Sequence, residues 1–176
     1  ETSQNGFRAV DNRNCEDHVF SLTELCRHSN CQKSPLHICF IDFKSAFDAV
    51  PRDALLHCLR QLGIDRNLFE AISCLYEHTE AQALANGVKS SPFTIERGVA
   101  QGCPLSPTLF AVYINSLLVK IKNSGLGTNI DGFKLGALAY ADDIVLLADS
   151  PDDLQKLTDI CQQWCTDWGM NANIGK

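Results

Sequence analysis

Residues 138–148 read Leu-Ala-Tyr-Ala-Asp-Asp-Ile-Val-Leu-Leu-Ala, two short apolar runs with adjacent carboxylates, Asp142 and Asp143, at the bend between them. Apolar flanks ordinarily exclude charge. Two neighbouring anions repel each other, and burial raises the cost of both unless a cation neutralises them. A divalent metal is the simplest such partner. Residues 36–43, Leu-His-Ile-Cys-Phe-Ile-Asp-Phe, form a second apolar run of the kind a buried strand needs, with Asp42 at its downstream end. Each feature alone has an ordinary reading, a capping Asp in one case and a solvated turn in the other. Together, strand-end carboxylates on adjacent strands make a site for two metal ions.

Between these runs lies Gly98-Val99-Ala100-Gln101-Gly102-Cys103-Pro104-Leu105-Ser106-Pro107. Gly98 and Gly102 allow backbone to approach a flat ligand closely, and Gln101 offers both a donor and an acceptor. A helix-capping turn explains Ser106-Pro107 but not the stretch from Gly98 to Gly102.

The remaining periodicities fill in an α+β chain. Val19, Phe20, Leu22, Leu25 and Cys26 predict a helix over 16–29. Pro51 opens a helix with Leu55, Leu59 and Leu62 on one face, closed by Gly63. A second helix follows, with Phe69, Ile72, Leu75 and Tyr76 inward. Residues 80–97 read as a hairpin turning at Asn86-Gly87. Ser106 caps a long apolar helix that ends near Gly125, and 133–148 is a hairpin whose turn carries the two Asp. Ser150-Pro151-Asp152-Asp153 starts a last helix striped by Leu154, Leu157, Cys161, Trp164 and Trp168. The expected architecture is a largely antiparallel sheet covered by helices on one side.

The bulk numbers bound the class. At 176 residues and 45% hydrophobic content, the chain is one domain with material for a core. It has no apolar run long enough for a membrane helix and no secretory signal, so an intracellular protein is expected. Its nine cysteines are odd in number and form no Cys-x-x-Cys pair, which favours reduced structural thiols. An alternative sets Cys161 and Cys165 with His28 or His37 around zinc. A formal charge of −6 excludes a generic nucleic-acid sponge, yet is compatible with a core whose acids hold metals.

The three chemical segments, Phe40-Ile41-Asp42-Phe43-Lys44-Ser45-Ala46-Phe47-Asp48, Gly98 to Pro107, and Tyr140-Ala141-Asp142-Asp143, resemble in order motifs A, B and C of reverse transcriptases. Their wording is most similar to the non-LTR (LINE-type) retrotransposon enzymes. Gln4-Asn5-Gly6-Phe7-Arg8, with Arg13 and Cys15, resembles the segment preceding motif A. Trp168-Gly169-Met170-Asn171-Ala172-Asn173, with Lys176, resembles motif D.

The resemblance implies a polymerase palm with partial fingers over 1–176, its catalytic hairpin packed on helices. It implies an RNA-directed DNA polymerase core that adds deoxynucleotides to a primer 3′-hydroxyl on an RNA template. Asp42, Asp142 and Asp143 would bind two Mg²⁺, with Mn²⁺ as a substitute. Phe47 would be the steric gate against a ribose 2′-hydroxyl, otherwise a core aromatic. Phe43 and Tyr140 would contact substrate, and Gln101 and Gly102 would line the nascent base pair and template. Lys176 would protonate pyrophosphate unless it is a frayed terminal lysine, and Arg8 would touch template or phosphate unless it is a structural ion-pair partner. Ala100 stands where many relatives carry a basic residue.

The partners implied are RNA template, DNA primer and dNTPs, in the nucleus and cytoplasm, with no membrane. Upstream fingers and a thumb would lie outside 1–176, so these residues alone would extend a primer poorly. Two other readings stand beside this one: an RNA-dependent RNA polymerase sharing the palm, which Phe47 disfavours, and an inactive or domesticated nucleic-acid-binding module on the same fold.

Overall fold

The computed structural model describes residues 15–173. Its first half runs α1 (Cys15–Gln32), β1 (His37–Ile41), α2 (Ala46–Ala49), α3 (Arg52–Gln61) and α4 (Arg66–Glu77), then short strands β2 (Glu80–Ala81), β3 (Leu84–Ala85), β4 (Val88–Lys89) and β5 (Phe93–Thr94). Its second half runs α5 (Ser106–Asn123), β6 (Thr128–Ile130), β7 (Phe133–Leu135), β8 (Ala137–Tyr140), β9 (Asp143–Ala148) and α6 (Pro151–Trp168).

The central sheet is antiparallel in the order β1-β9-β8. Side chains alternate across a strand. Accordingly Ala137, Ala139, Ile144, Leu146 and Ala148 point to one face and are buried. That face meets α5 and α6. Along α5, Leu109, Phe110, Tyr113, Ile114, Leu117, Leu118 and Ile121 recur at helical spacing and are buried too. Each such large side chain contributes roughly 1.5–3 kcal/mol on leaving water.

Aromatic groups lock α5 to α6. Trp164 is fully buried, donates from Nε1 to Ser116 Oγ at 2.8 Å and meets the Tyr113 ring edge-on at 5.4 Å. The Tyr113 hydroxyl donates to the Trp168 carbonyl at 2.6 Å. At the start of α6, Ser150 Oγ accepts from the Asp153 amide at 3.1 Å, and Gly169 ends the helix at φ 70°.

Several expectations are adjusted. α1 forms as read but holds no buried residue, with Val19 and Phe20 exposed. It lies against the sheet face opposite α5 and α6, where Cys15, His18, Val19 and Leu22 border Phe40, Leu138, Tyr140 and Val145. Helices therefore flank both faces of the sheet, because the alternating set Phe40, Leu138 and Val145 is itself apolar. Leu62 and Leu75 are exposed: the chain turns away at Gly63 before Leu62 can continue the stripe, and the inner face of α4 narrows to Ile72 and Tyr76.

Ser106 is the first residue of α5, not its cap. Its hydroxyl instead donates to the Ala100 carbonyl at 2.6 Å, and Leu105 holds the cap position. The stretch 133–148 splits, because β7 pairs with β6 while β8 pairs with β9. The hairpin at Asn86-Gly87 forms as read, both turn residues taking positive φ between β3 and β4. Among the described residues no helix is long and apolar enough to cross a membrane.

Truncating the central indole should open a cavity and remove its bond to Ser116, whose hydroxyl still donates to the Tyr113 carbonyl at 2.9 Å. Trp164→Ala is expected to cost about 3–5 kcal/mol, read as a lowered midpoint in chemical denaturation.

Candidate active site

The β1–β9 ladder pairs His37 with Ala148 and continues residue by residue to Ile41 with Ile144. Asp42 follows Ile41 and Asp143 precedes Ile144, so both acids lie just beyond that end of the ladder, and Asp143 in turn pairs with Tyr140 on β8. Asp42, Asp143 and Tyr140 thus form one row across the sheet. Directly opposed residues project to the same face. Consistent with this, the three line one pocket of about 380 Å³ with His18, Phe40 and Leu138. Like charges placed directly opposite destabilise a sheet, so the row is an anionic corner that favours a cation.

Asp142 sits in the two-residue turn beside Ala141, while Asp143 begins β9. Ala141 is buried and takes φ 55°, a left-handed conformation that costs a non-glycine residue roughly 1–2 kcal/mol. The close pairing of Tyr140 with Asp143 leaves room for only this tight turn.

A contact that the sequence reading missed supports Asp42. Residues 171–173 run antiparallel beside 42–44: Phe43 bridges Ala172, the Lys44 amide donates to the Asn171 carbonyl at 2.9 Å, and the Asn173 amide donates to the Asp42 carbonyl at 2.7 Å. Asn173 Nδ2 also donates to Asp42 Oδ2 at 3.2 Å. Its membership of the motif D-like segment was the available signal. Phe43, expected against substrate, is instead a core residue, 3% exposed and edge-on to Trp164 at 6.1 Å. Strand alternation turns it away from the face that carries Asp42.

The Gly98–Gly102 loop docks on the segment that follows Asp42. The Gly98 amide donates to the Val50 carbonyl at 2.8 Å and the Val99 amide to the Phe47 carbonyl at 2.9 Å. Gly98 takes φ 90°, and a Cβ there would lie 3.0 Å from the Asp48 Cα and carbonyl oxygen. Phe47 stacks on Phe110 at 4.7 Å and borders a second pocket, of about 330 Å³, with Gln101, Gly102 and Pro104. Gln101 Nε2 donates to Asp48 Oδ1 at 2.8 Å.

Arg52 also escaped the sequence reading. It donates from Nε to the Gly98 carbonyl at 3.2 Å and from Nη1 to the carbonyls of Tyr76 and Ile95 at 3.0 and 2.6 Å. Its guanidinium lies 5.0 Å from the Tyr76 ring centroid. One side chain therefore ties α3, α4, the 80–95 hairpin and the loop together. No residue pattern distinguishes such an Arg from a surface one.

The structure thus brings Asp42, Asp143 and Tyr140 together at one pocket, and Phe47, Gln101 and Gly102 at another, with Asp142 at the turn beside the first. Arg8 and Lys176 lie outside the described residues. Among the described residues no group of three or more His, Cys, Asp or Glu is gathered as a metal site. Mg²⁺ does not need one, since it typically takes one or two carboxylates and completes its shell with water and substrate phosphates. The all-oxygen carboxylate row fits that ion. The zinc alternative finds no such group either. Cys161 and Cys165 are buried in α6, where burial pushes the Cys161 thiol up to about 12 and the Cys165 thiol up as well, favouring protonated sulfur.

Solved structures share this layout. The chain superposes over 99% of its length on 32% of an apo telomerase chain from Candida tropicalis, with a TM-score of 0.72 at 15% identity. A truncated form of that telomerase gives 0.70 at 17% identity, covering 99% of this chain and 35% of that one. The fold is a mixed α+β polymerase palm of the reverse-transcriptase type. Residues 1–176 match the family described as reverse transcriptase (RNA-dependent DNA polymerase), and the chain belongs to that family.

Its relatives include non-LTR retrotransposon proteins. It is 30% identical over 173 residues to the Pol polyprotein of type-2 retrotransposable element R2DM from Drosophila melanogaster, covering 98% of this chain and 16% of that protein. It is 33% identical over 144 residues to the RNA-directed DNA polymerase from mobile element jockey of Drosophila funebris, covering 78% of this chain and 15% of that protein.

Gly98→Ala combines a left-handed backbone with contact against Asp48 main chain. It is expected to cost about 1–3 kcal/mol and to lower the thermal midpoint more than Gly102→Ala, where a Cβ meets nothing within 4 Å.

Proposed function

We propose that this chain is the catalytic core of an RNA-directed DNA polymerase of the non-LTR retrotransposon type, adding deoxynucleotides to a DNA primer 3′-hydroxyl on an RNA template. The observation that carries the reading is the row Asp42–Asp143–Tyr140 with Asp142 at the adjoining turn. It supports a corner where neighbouring carboxylates favour a cation. When bound there, a pair of Mg²⁺ ions, or Mn²⁺ in their place, would activate the primer hydroxyl and neutralise the leaving pyrophosphate.

The side chains divide the remaining work. Asp42, Asp142 and Asp143 hold the ions, and Asn173 steadies one oxygen of Asp42. Tyr140 flanks Asp143 within the row, and Phe47, packed flat on Phe110, is rigid enough to exclude a 2′-hydroxyl by its bulk. Gln101 and Gly102 line the same pocket as Phe47 and would meet the nascent base pair. A formal charge of −6 agrees with acidic groups that hold cations.

Two experiments on the full-length polypeptide check this. Asp42→Asn and Asp142→Asn should each lower Mg²⁺-dependent extension of a DNA primer on RNA by about 10²–10³-fold or more, with RNA binding retained. Unchanged extension would refute the assignment, and RNA binding without any extension in the unaltered protein would favour the non-catalytic binding module. Phe47→Ala should raise incorporation of ribonucleotides relative to deoxynucleotides by roughly 10-fold or more, read in single-nucleotide addition assays.

A further inference from the structure

Asp48 has no part in the chemistry assigned so far, yet two independent features converge on it. Its carboxylate accepts from Gln101 Nε2 at 2.8 Å, across 53 positions of sequence. Its backbone is the surface on which Gly98 sits, with room for hydrogen but not for a methyl group. Two further main-chain bonds, Gly98 to Val50 and Val99 to Phe47, clamp the loop to the same short helix α2. Phe47 and Gln101, which both line the pocket, are therefore referenced to consecutive residues of one turn.

The chemistry of the bond sets a direction. A carboxylate has no hydrogen to give, so it admits only the NH₂ end of the Gln101 amide and repels Oε1. Without that partner the terminal amide torsion is broad and nearly two-fold, and either end can face a ligand. With it, one amide N–H is committed and Oε1 remains as the acceptor that Gln101 can offer to the pocket. An acceptor there suits a sugar hydroxyl or a base N–H, and disfavours a phosphate oxygen.

We propose that Asp48 is a positioning residue that holds the Gln101 amide with its carbonyl oxygen presented to the nucleotide beside Phe47. This rests on the reading of that pocket as a nucleotide site. Asp48 acts before binding: it removes the rotamer freedom that each incoming nucleotide would otherwise have to freeze, so its effect falls on affinity and little on the chemical step.

The test is a double-mutant cycle in the full-length protein, with dNTP KM and kcat measured separately on an RNA template. Asp48→Ala should raise KM by about 5- to 10-fold with a much smaller change in kcat. Asp48→Asn, which keeps an acceptor for the NH₂ group, should recover part of that loss. The pair Asp48→Ala with Gln101→Ala should be no worse than Gln101→Ala alone. Because Asp48 is exposed, the thermal midpoint should move little in either Asp48 variant.

Additive effects in the cycle would overturn the proposal. So would a raised KM in Gln101→Ala beside an unchanged one in Asp48→Ala, or a large loss of thermal stability in Asp48→Asn with KM unaltered. An unchanged KM in Gln101→Ala itself would remove the nucleotide reading of the pocket, and the role of Asp48 with it.

Discussion

The five-residue antiparallel ladder between β1 and β9 is the constraint from which the rest follows. Register in a half-buried sheet is strict, since a slip of one residue would carry every side chain to the other face. Here the slip would move Ile144, Leu146 and Ala148 off the face packed on α5 and α6 and put Val145 and Leu147 in their place. Hydrophobic burial on one face therefore decides which residues stand opposite each other at the ladder's end. The last pair is Ile41 with Ile144, and just beyond it come Asp42 and Asp143, neighbours that electrostatics alone would not favour. The core compels two carboxylates into proximity, and the outcome is a corner suited to cations.

A second layer of constraint ties the pocket beside Phe47 to that corner. The chain leaves β1, passes Asp42, and within a few residues forms α2, which carries Phe47 and Asp48. The Gly98–Gly102 loop is bonded to this turn by main-chain contacts, and Arg52 holds the loop from behind through three carbonyls. A buried or half-buried guanidinium satisfied by carbonyl oxygens resists displacement, because breaking one bond leaves an orphaned charge-assisted partner. The pocket near Phe47 and the carboxylate row are thus joined through a short, heavily bonded segment.

Membership of the reverse transcriptase family agrees with this division of labour. The chain spans 16% of the R2DM polyprotein and 15% of the jockey polymerase it matches. Telomerase chains share the fold at 15–17% identity, as expected where burial pattern and not residue identity dictates the layers.

The longer helices, the hairpin at Asn86-Gly87, the helix start at Ser150-Pro151 and the strand-end acids are readable from local signals, whereas α2 and β6 are not. Each depends on periodicity, turn chemistry or capping within a few residues. What sequence could not supply were relations between distant positions. Phe43 was read as a substrate contact, yet packing on Trp164 makes it core. Ser106 was read as a cap, yet its hydroxyl serves Ala100. Arg52 and Asp48 carry no local mark of their contacts, because those are bonds to residues tens of positions away, and Asn173 is marked only by its place in the motif D-like segment. By itself, then, the sequence determined which short segments hold carboxylates, glycines and aromatics, since propensity and pattern act locally. Only the tertiary structure decided which of them meet, because register and burial are properties of the assembled core.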